Sequence, residues 1–316
     1  MTLLPLPRRS ALGLGLAALS APLPLRAQSA PLRLVLGFGP GGAVDAVARI
    51  LAPELSPLLG RPVVIDYVNG ANGSRAVNVA AAARSATDTL LFATSSVANR
   101  GDPAMAQSRI AEMRPLLVVG RGPMEICARP ALPLDDIRAL PALLIAQPER
   151  SYGSSGVGNV THFAMLDLLG GLDRRALHVP FPGAAQVLTN LAGGHVDLAV
   201  VGAGVAADAP PGVRRLASTA ASAADLIGLS DLPTVAGTIL PGYAWYVWQA
   251  LFAPPGAPEA FATEIAEAVN QALALPAVRE AMLRVHIVPA GGDARDAERL
   301  VAEESARFAR LAPHAG

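Results

Sequence analysis

Apolar residues dominate Leu32 to Phe38, broken only by Arg33 and Gly37, and the run stops at Gly39-Pro40-Gly41-Gly42. A short apolar run closed by glycine and proline predicts a buried strand followed by a turn. From Ala43 to Leu59 the rhythm changes, with Val44, Val47, Ile50, Leu51, Leu55, Leu58 and Leu59 recurring at helical spacing. Pro62 to Tyr67 predicts a second strand, 73–84 an Ala-rich helix and 89–94 a third strand. Strand, helix and strand in alternation predict a parallel sheet with right-handed crossovers.

The same grammar resumes near residue 115. Strands are predicted at 116–119, 151–154, 177–179, 196–201 and 215–217, with helices near 134–146, 159–170, 183–193, 259–275 and 293–311. The Pro- and Ser-rich stretch 218–241 reads as a return crossing, because strand-like Ala244 to Ala253 follows it. The pattern therefore predicts an α/β protein of two similar halves joined by more than one crossing. A length of 316 residues suits two domains or one large α/β unit.

Residues 1–27 follow a different logic. Arg8 and Arg9 precede an apolar stretch from Ala11 to Ala21, and Leu25-Arg26-Ala27 forms a cleavage-like end. This order predicts an export signal, by the general or the twin-arginine route, and a location outside the cytoplasmic membrane. Its apolar run is too short to span a bilayer, and no later stretch is long enough either. Removing its three arginines changes a balanced 25 basic and 25 acidic residues into 22 against 25, formally −3.

Composition then removes whole classes. All 25 basic residues are arginine, so a P-loop lysine or a Schiff-base lysine is impossible. The absence of a basic block and an aromatic content of 4% argue against a nucleic-acid partner. The single cysteine, Cys127, cannot form an intramolecular disulfide or a CxxC site. The histidines 162, 178, 195, 286 and 314 show no metal-like pairing, and neither HExxH nor GxSxG occurs. No metal, cofactor or catalytic residue is expected.

Two Gly-rich turns stand between a strand and a helix: Phe38 to Asp45, and Ser154 to His162. Such turns lie at the carboxyl ends of parallel strands, where ligands bind, and the following helix offers unpaired N–H groups to an anion. Ser155, Asn159 and Thr161 add side-chain donors, and His162 is either a ligand contact or a packed, capping histidine. Asp45 either favours its helix dipole or reaches a ligand donor. Ordinary helix-capped turns remain the alternative for both. A second reading takes Gly37 to Gly42 as a GxGxxG dinucleotide loop, with Asp66 on the ribose, in an NAD(P)-dependent oxidoreductase. The aromatic group Tyr243, Trp245, Tyr246 and Trp248 reads as core.

Seven motifs in order resemble the extracytoplasmic solute receptors of tripartite tricarboxylate transporters, the Bug or TctC-like family. They are Arg33 to Asp45; Leu59-Gly60-Arg61-Pro62-Val63-Val64; Ser154 to Gly158 with Thr161-His162; Val179-Pro180-Phe181-Pro182-Gly183-Ala184; Leu191 to Asp197; Asp231-Leu232-Pro233-Thr234-Val235-Ala236; and Leu251 to Pro258. The resemblance implies a monomeric periplasmic Venus-flytrap protein. Residues 28–122 and 220–316 would form one domain and 123–219 the other, with a small organic carboxylate held between them.

By that resemblance the ligand-contacting set is Phe38, Gly41, Gly42, Ala43 and Asp45 in the first turn, with Ser95 and Ser96 after the third strand. Opposite stand Ser155, Gly156, Asn159, Thr161 and His162, then Phe181, Gly183 and Gly202. The implied partner is a membrane permease, or a sensor protein if the chain is a signalling receptor, a class that shares this fold. Phe181-Pro182-Gly183 stands where the family often has Tyr-Lys-Gly, and Val201-Gly202 where an Asp-Asn pair is common. Val157 replaces a usual Asn, and the segment after Ser96 is shortened. The resulting wall is less polar, which leaves monocarboxylates and aromatic acids open beside citrate-like ligands.

Overall fold

The computed structural model describes residues 30–226 and 230–314; the predicted export segment lies outside the described residues. The chain runs β1 (Leu32–Leu36), α1 (Ala43–Leu58), β2 (Val63–Tyr67), α2 (Ser74–Ala81), β3 (Thr89–Thr94) and a one-turn α3 (Pro103–Ala106) into β4 (Arg114–Ala128). It continues through α4 (Leu140–Ala146), β5 (Ser151–Ser154), α5 (Val160–Gly171), β6 (Leu177–Pro180), α6 (Ala184–Ala192), β7 (Leu198–Gly202), α7 (Ala203–Ala207) and β8 (Arg214–Ser218). After the return crossing come β9 (Tyr246–Ala253), α8 (Glu259–Ala274), α9 (Pro276–Arg284), β10 (Val288–Gly291) and α10 (Ala294–Leu311).

β4 organises everything else. Its leading part, Arg114 to Pro123, pairs antiparallel with β9 and with β10, and β9 passes on to the parallel set β3, β1 and β2. Its last five residues, Met124 to Ala128, pair instead with β7 and β8, and β7 leads to parallel β5 and β6. One 15-residue strand thus serves two lobes, each a set of parallel strands flanked by helices. The sequence showed only its Leu116–Val119 segment, because Gly120, Gly122 and Pro123 look like breakers. The two glycines are close-approach positions: a Cβ on Gly120 would lie 2.7 Å from Ile287 Cγ2, and one on Gly122 would run into His286 O. The pattern also missed α9 and β10. Pro276 starts a new helix at a position where its missing N–H costs nothing, directly after α8 ends at Ala274.

At the crossing, Thr219 ties the two connecting strands. Its fully buried hydroxyl accepts the Met124 N–H at 2.8 Å and donates to Trp245 O at 2.6 Å. Its own N–H reaches Met124 O at 2.9 Å, and its carbonyl accepts from Trp245 N at 2.9 Å. One hydrophobic cluster continues across this point, from Val35 and Leu91 in the first lobe through Met124 to Tyr152 and Leu168 in the second. Trp245, Trp248 and Tyr243 are buried in it, as their aromatic character predicts, and Phe308 of α10 closes it.

Candidate functional site

The first Gly-rich turn folds as its sequence dictates. Gly41 adopts φ 90°, a left-handed value that a side chain would strain, and Gly42 caps α1 without any side-chain hydrogen bond. Asp45 reaches back to accept the Gly41 N–H at 2.9 Å and the Arg49 Nε–H at 2.9 Å, and it also accepts from the Tyr67 hydroxyl. Burial pushes the Asp45 carboxyl up, but the bonds from Tyr67, Gly41 and Arg49 outweigh it and hold the group below its ordinary value. Asp45 is therefore a brace and stays ionised. The first intrahelical bond is Ala46 N–H to Gly42 O, so among the described residues the N–H groups of Ala43, Val44 and Asp45 have no partner inside the helix.

The first of these, Ala43, borders a cavity of about 430 Å³ between the lobes, beside Gly41 and Gly42. Gly41, Gly42 and Ala43 form one wall, and Gly202 with Ala203 to Val205 and Thr189 form the facing one. Pro123 and Val247 of the crossing strands, Arg284 to Ile287 at the end of α9 and the turn after it, and Asp208 after α7 add to the lining. An anion entering this space would meet the positive end of a 16-residue helix.

The second turn uses its donors internally. Ser155 N–H donates to Thr161 Oγ1 at 2.9 Å, Gly156 N–H to Ser154 Oγ at 3.3 Å, and Gly158 N–H to His162 Nδ1 at 3.2 Å. Asn159 caps α5 by accepting the Thr161 N–H at 3.1 Å. His162 stacks on His178 at 3.8 Å, and His178 Nε2 lies 2.6 Å from Ser154 Oγ. Burial, and then the neighbouring His178, lower the His162 pKa to about 3; burial alone lowers that of His178 to about 4. Both rings are neutral at physiological pH, and His162 is of the packed, capping kind.

Across the lobes this turn is sewn to the first lobe by three side chains. Asn72 Nδ2 donates to Val157 O at 2.7 Å, Asn99 Nδ2 to Gly158 O at 2.8 Å, and Asn159 Nδ2 to Ser96 Oγ at 3.1 Å. Of the sequence-derived set, then, Gly41, Gly42, Ala43 and Gly202 border the cavity. Ser96, Asn159, Thr161 and His162 lie in or behind the polar seam, with Gly156 beside Asn72. Ser95 is buried with its hydroxyl unpaired. Phe38 and Phe181 are half-buried against the cores of the first and second lobes, and Gly183 caps α6, which carries Thr189 into the cavity wall. Asn72, Asn99 and the 284–287 turn escaped the sequence reading, since nothing local marks an asparagine or an unassigned turn as meeting the other lobe.

A family model, the tripartite tricarboxylate transporter family receptor or TctC, matches residues 47–316. The chain belongs to that receptor family. The UPF0065 protein in the tcbD-tcbE intergenic region of Pseudomonas sp. is 30% identical over 291 residues, covering 90% of this chain and 85% of the relative. Among solved structures, Rpa4515 of R. palustris with adipate superposes with a TM-score of 0.83 at 27% identity, covering 91% of this chain and 98% of that one. MatC of Rhodopseudomonas palustris with bound malate gives 0.79 at 25% identity, covering 90% and 99%.

This TctC receptor accordingly has the two-domain periplasmic-binding-protein fold, and it is a solute-binding protein rather than an enzyme. The dinucleotide reading falls with that assignment, and Asp66 is engaged elsewhere, since it lies within β2 and accepts from Arg33 Nη2 of β1 at 2.5 Å. Among the described residues no helix is long and apolar enough to cross a membrane, and no group of three or more His, Cys, Asp or Glu residues could hold a metal ion.

Proposed function

We propose that this receptor captures a small organic carboxylate in the cleft between its two lobes and delivers it to the membrane permease of a tripartite transporter. The observation that carries the reading is the cavity bounded by the open amides of α1 on one lobe and by Gly202 on the other. The adipate and malate held by Rpa4515 and MatC support the ligand class. In this reading the Phe38–Asp45 turn takes one carboxylate, and the Ser154–His162 turn closes over it by meeting Asn72, Asn99 and Ser96. The domains divide at 122 and 219, where β4 exchanges partners and the chain returns through Thr219. The ligand stabilises the closed form because only that form brings both walls to it.

A thermal-shift assay tests this, after unfolding and refolding to strip bound solute. Adipate or malate at about a hundredfold over its dissociation constant adds about 2.7 kcal/mol and raises the melting temperature. No rise with any carboxylate, or a rise with nicotinamide dinucleotides alone, would refute the proposal.

A further inference from the structure

Two Asn-Gly steps stand close together between β2 and α2, Asn69-Gly70 and Asn72-Gly73. In such a step the backbone nitrogen of the glycine can attack the side-chain carbonyl carbon of the asparagine, because glycine has no Cβ to hinder the approach. We infer that Asn69 is a site of spontaneous deamidation in the folded receptor, that Asn72 is protected, and that the modification places a negative charge beside the first Gly-rich turn.

The surroundings of the two steps differ. Asn69 and Gly70 are exposed, and among the described residues neither the Asn69 side chain nor the Gly70 N–H makes a hydrogen bond. Arg75 lies over Gly70: a Cβ there would be 3.0 Å from its Cδ and 3.4 Å from its Nη1, and this guanidinium has no ion-pair partner among the described residues. A cation so placed favours the anion formed when the Gly70 N–H loses its proton, and the oxyanion that follows attack. At the second step, Asn72 Nδ2 is held by Val157 O at 2.7 Å and Asp102 Oδ2 at 2.9 Å. Gly73 is buried and donates its N–H to Gly70 O at 3.0 Å. There the nucleophile is occupied, the leaving amide is pinned, and the charge bonded to it is a carboxylate, which disfavours an amide anion.

The reaction needs water alone. Gly70 N gives its proton to hydroxide and bonds to Asn69 Cγ, the Cγ–Nδ2 bond breaks, and Nδ2 leaves as ammonia after taking a proton from water. Water then opens the cyclic imide at either carbonyl, so position 69 carries aspartate or isoaspartate, one carboxylate where an amide stood. Asn69 Nδ2 lies against the first turn, 3.0 Å from where a Cβ on Gly39 would sit. The fixed charges of that turn are the ionised Asp45, its partner Arg49 and the α1 end, together about half a positive charge. A carboxylate at 69 reverses that sign, with Arg75 offsetting part of it. On the carboxylate reading above, which this consequence alone rests on, the modified receptor holds its ligand more weakly.

Ageing the full chain in warm, mildly alkaline buffer, folded and in urea, tests the site. Trypsin leaves both asparagines in the peptide 50–75, since the Arg61-Pro62 bond resists it, and fragmentation mass spectrometry then assigns each one. The folded chain is expected to gain an acid at Asn69 about tenfold or more faster than at Asn72, and the unfolded chain at comparable rates at both. Arg75→Gln should slow the folded reaction about threefold or more. Equal rates at both steps in the folded chain, or no modification of Asn69, would overturn the site, and a rate that Arg75→Gln leaves unchanged would overturn the role of Arg75. Asn69→Asp supplies the charge without ageing. Its affinity for adipate at low salt should lie about two- to fivefold below the wild type, with the gap closing at high salt, and equal affinities would overturn the consequence. A wild type that bound no carboxylate would refute the capture reading, while the mass spectra would still decide the deamidation site.

Discussion

The turns at 38–45 and 154–162 share one grammar, a strand running through glycines into a helix, yet their backbone donors meet opposite fates. In the first, a single side chain turns back: Asp45 takes the Gly41 N–H and leaves the amides that follow open towards a cavity. In the second, Thr161, Ser154, Asn159 and His162 between them take the N–H groups of Ser155, Gly156, Gly158 and Thr161. The carbonyls of Val157 and Gly158 then meet asparagines of the other lobe. Glycine alone does not make an anion receptor. What decides is how many of the exposed amides the neighbouring side chains consume: one in the first turn, four in the second.

Acid should break this contrast most strongly, by acting on the second turn. His162 and His178 have folded pKa values near 3 and 4, below the ordinary 6.5, so between those limits the unfolded chain binds more protons than the native one. Stability is complete above about pH 6.5 and falls as pH drops towards 4, at about 1.4 kcal/mol per pH unit for each histidine. Urea midpoints measured from pH 7 to pH 4 check the slope, and His178→Gln should flatten it. A wild-type midpoint constant over that range would show that the rings are not buried neutral.

Gly42→Pro attacks the open turn. It deletes an amide at the cap of α1 and asks φ to move from the native −92° by only about 30° to proline's value, so a charge-assisted bond worth about 1.5–3 kcal/mol is lost and carboxylate affinity falls about tenfold to a hundredfold. Calorimetry on the folded variant reads this directly, and unchanged affinity would remove the first turn from the site. Thr161→Val should do the reverse. It strips the acceptor from the Ser155 N–H and lowers stability by about 1–3 kcal/mol, with affinity altered by no more than a few-fold. A large affinity loss without a stability loss would make the second turn a direct ligand contact. The smallest effect belongs to Asp66→Ala. The Arg33–Asp66 pair is partly exposed, so stability changes by less than about 1 kcal/mol and carboxylate titrations superimpose on the wild type.

Regular elements were legible in the sequence wherever a single period ran uninterrupted. β3 matches its predicted range of 89–94, and α1 and α8 match theirs to within a residue. The two-lobed α/β class followed from their alternation. Legibility failed where a residue's role came from a distant partner. Gly120 and Gly122 look like breakers until the α9–β10 turn is seen lying against them. The two Gly-rich turns could be located but not told apart, because a threonine reaching back six residues leaves no periodic trace. The cavity wall at 284–287 lay in a stretch where the pattern offered no element at all.

The position of α10 bears on how the chain comes to be folded. This last long helix packs against β4, the segment after β3 and α5. Its Phe308 is fully buried, and its Arg307 bonds Asp167 of the second lobe and Ala244 O of the crossing. The cluster that both lobes share therefore stays incomplete until α10 brings in Ala297 and Phe308, whereas the clusters confined to each lobe need nothing from it. Each lobe can thus pack part of its interior alone, and α10 then joins the two.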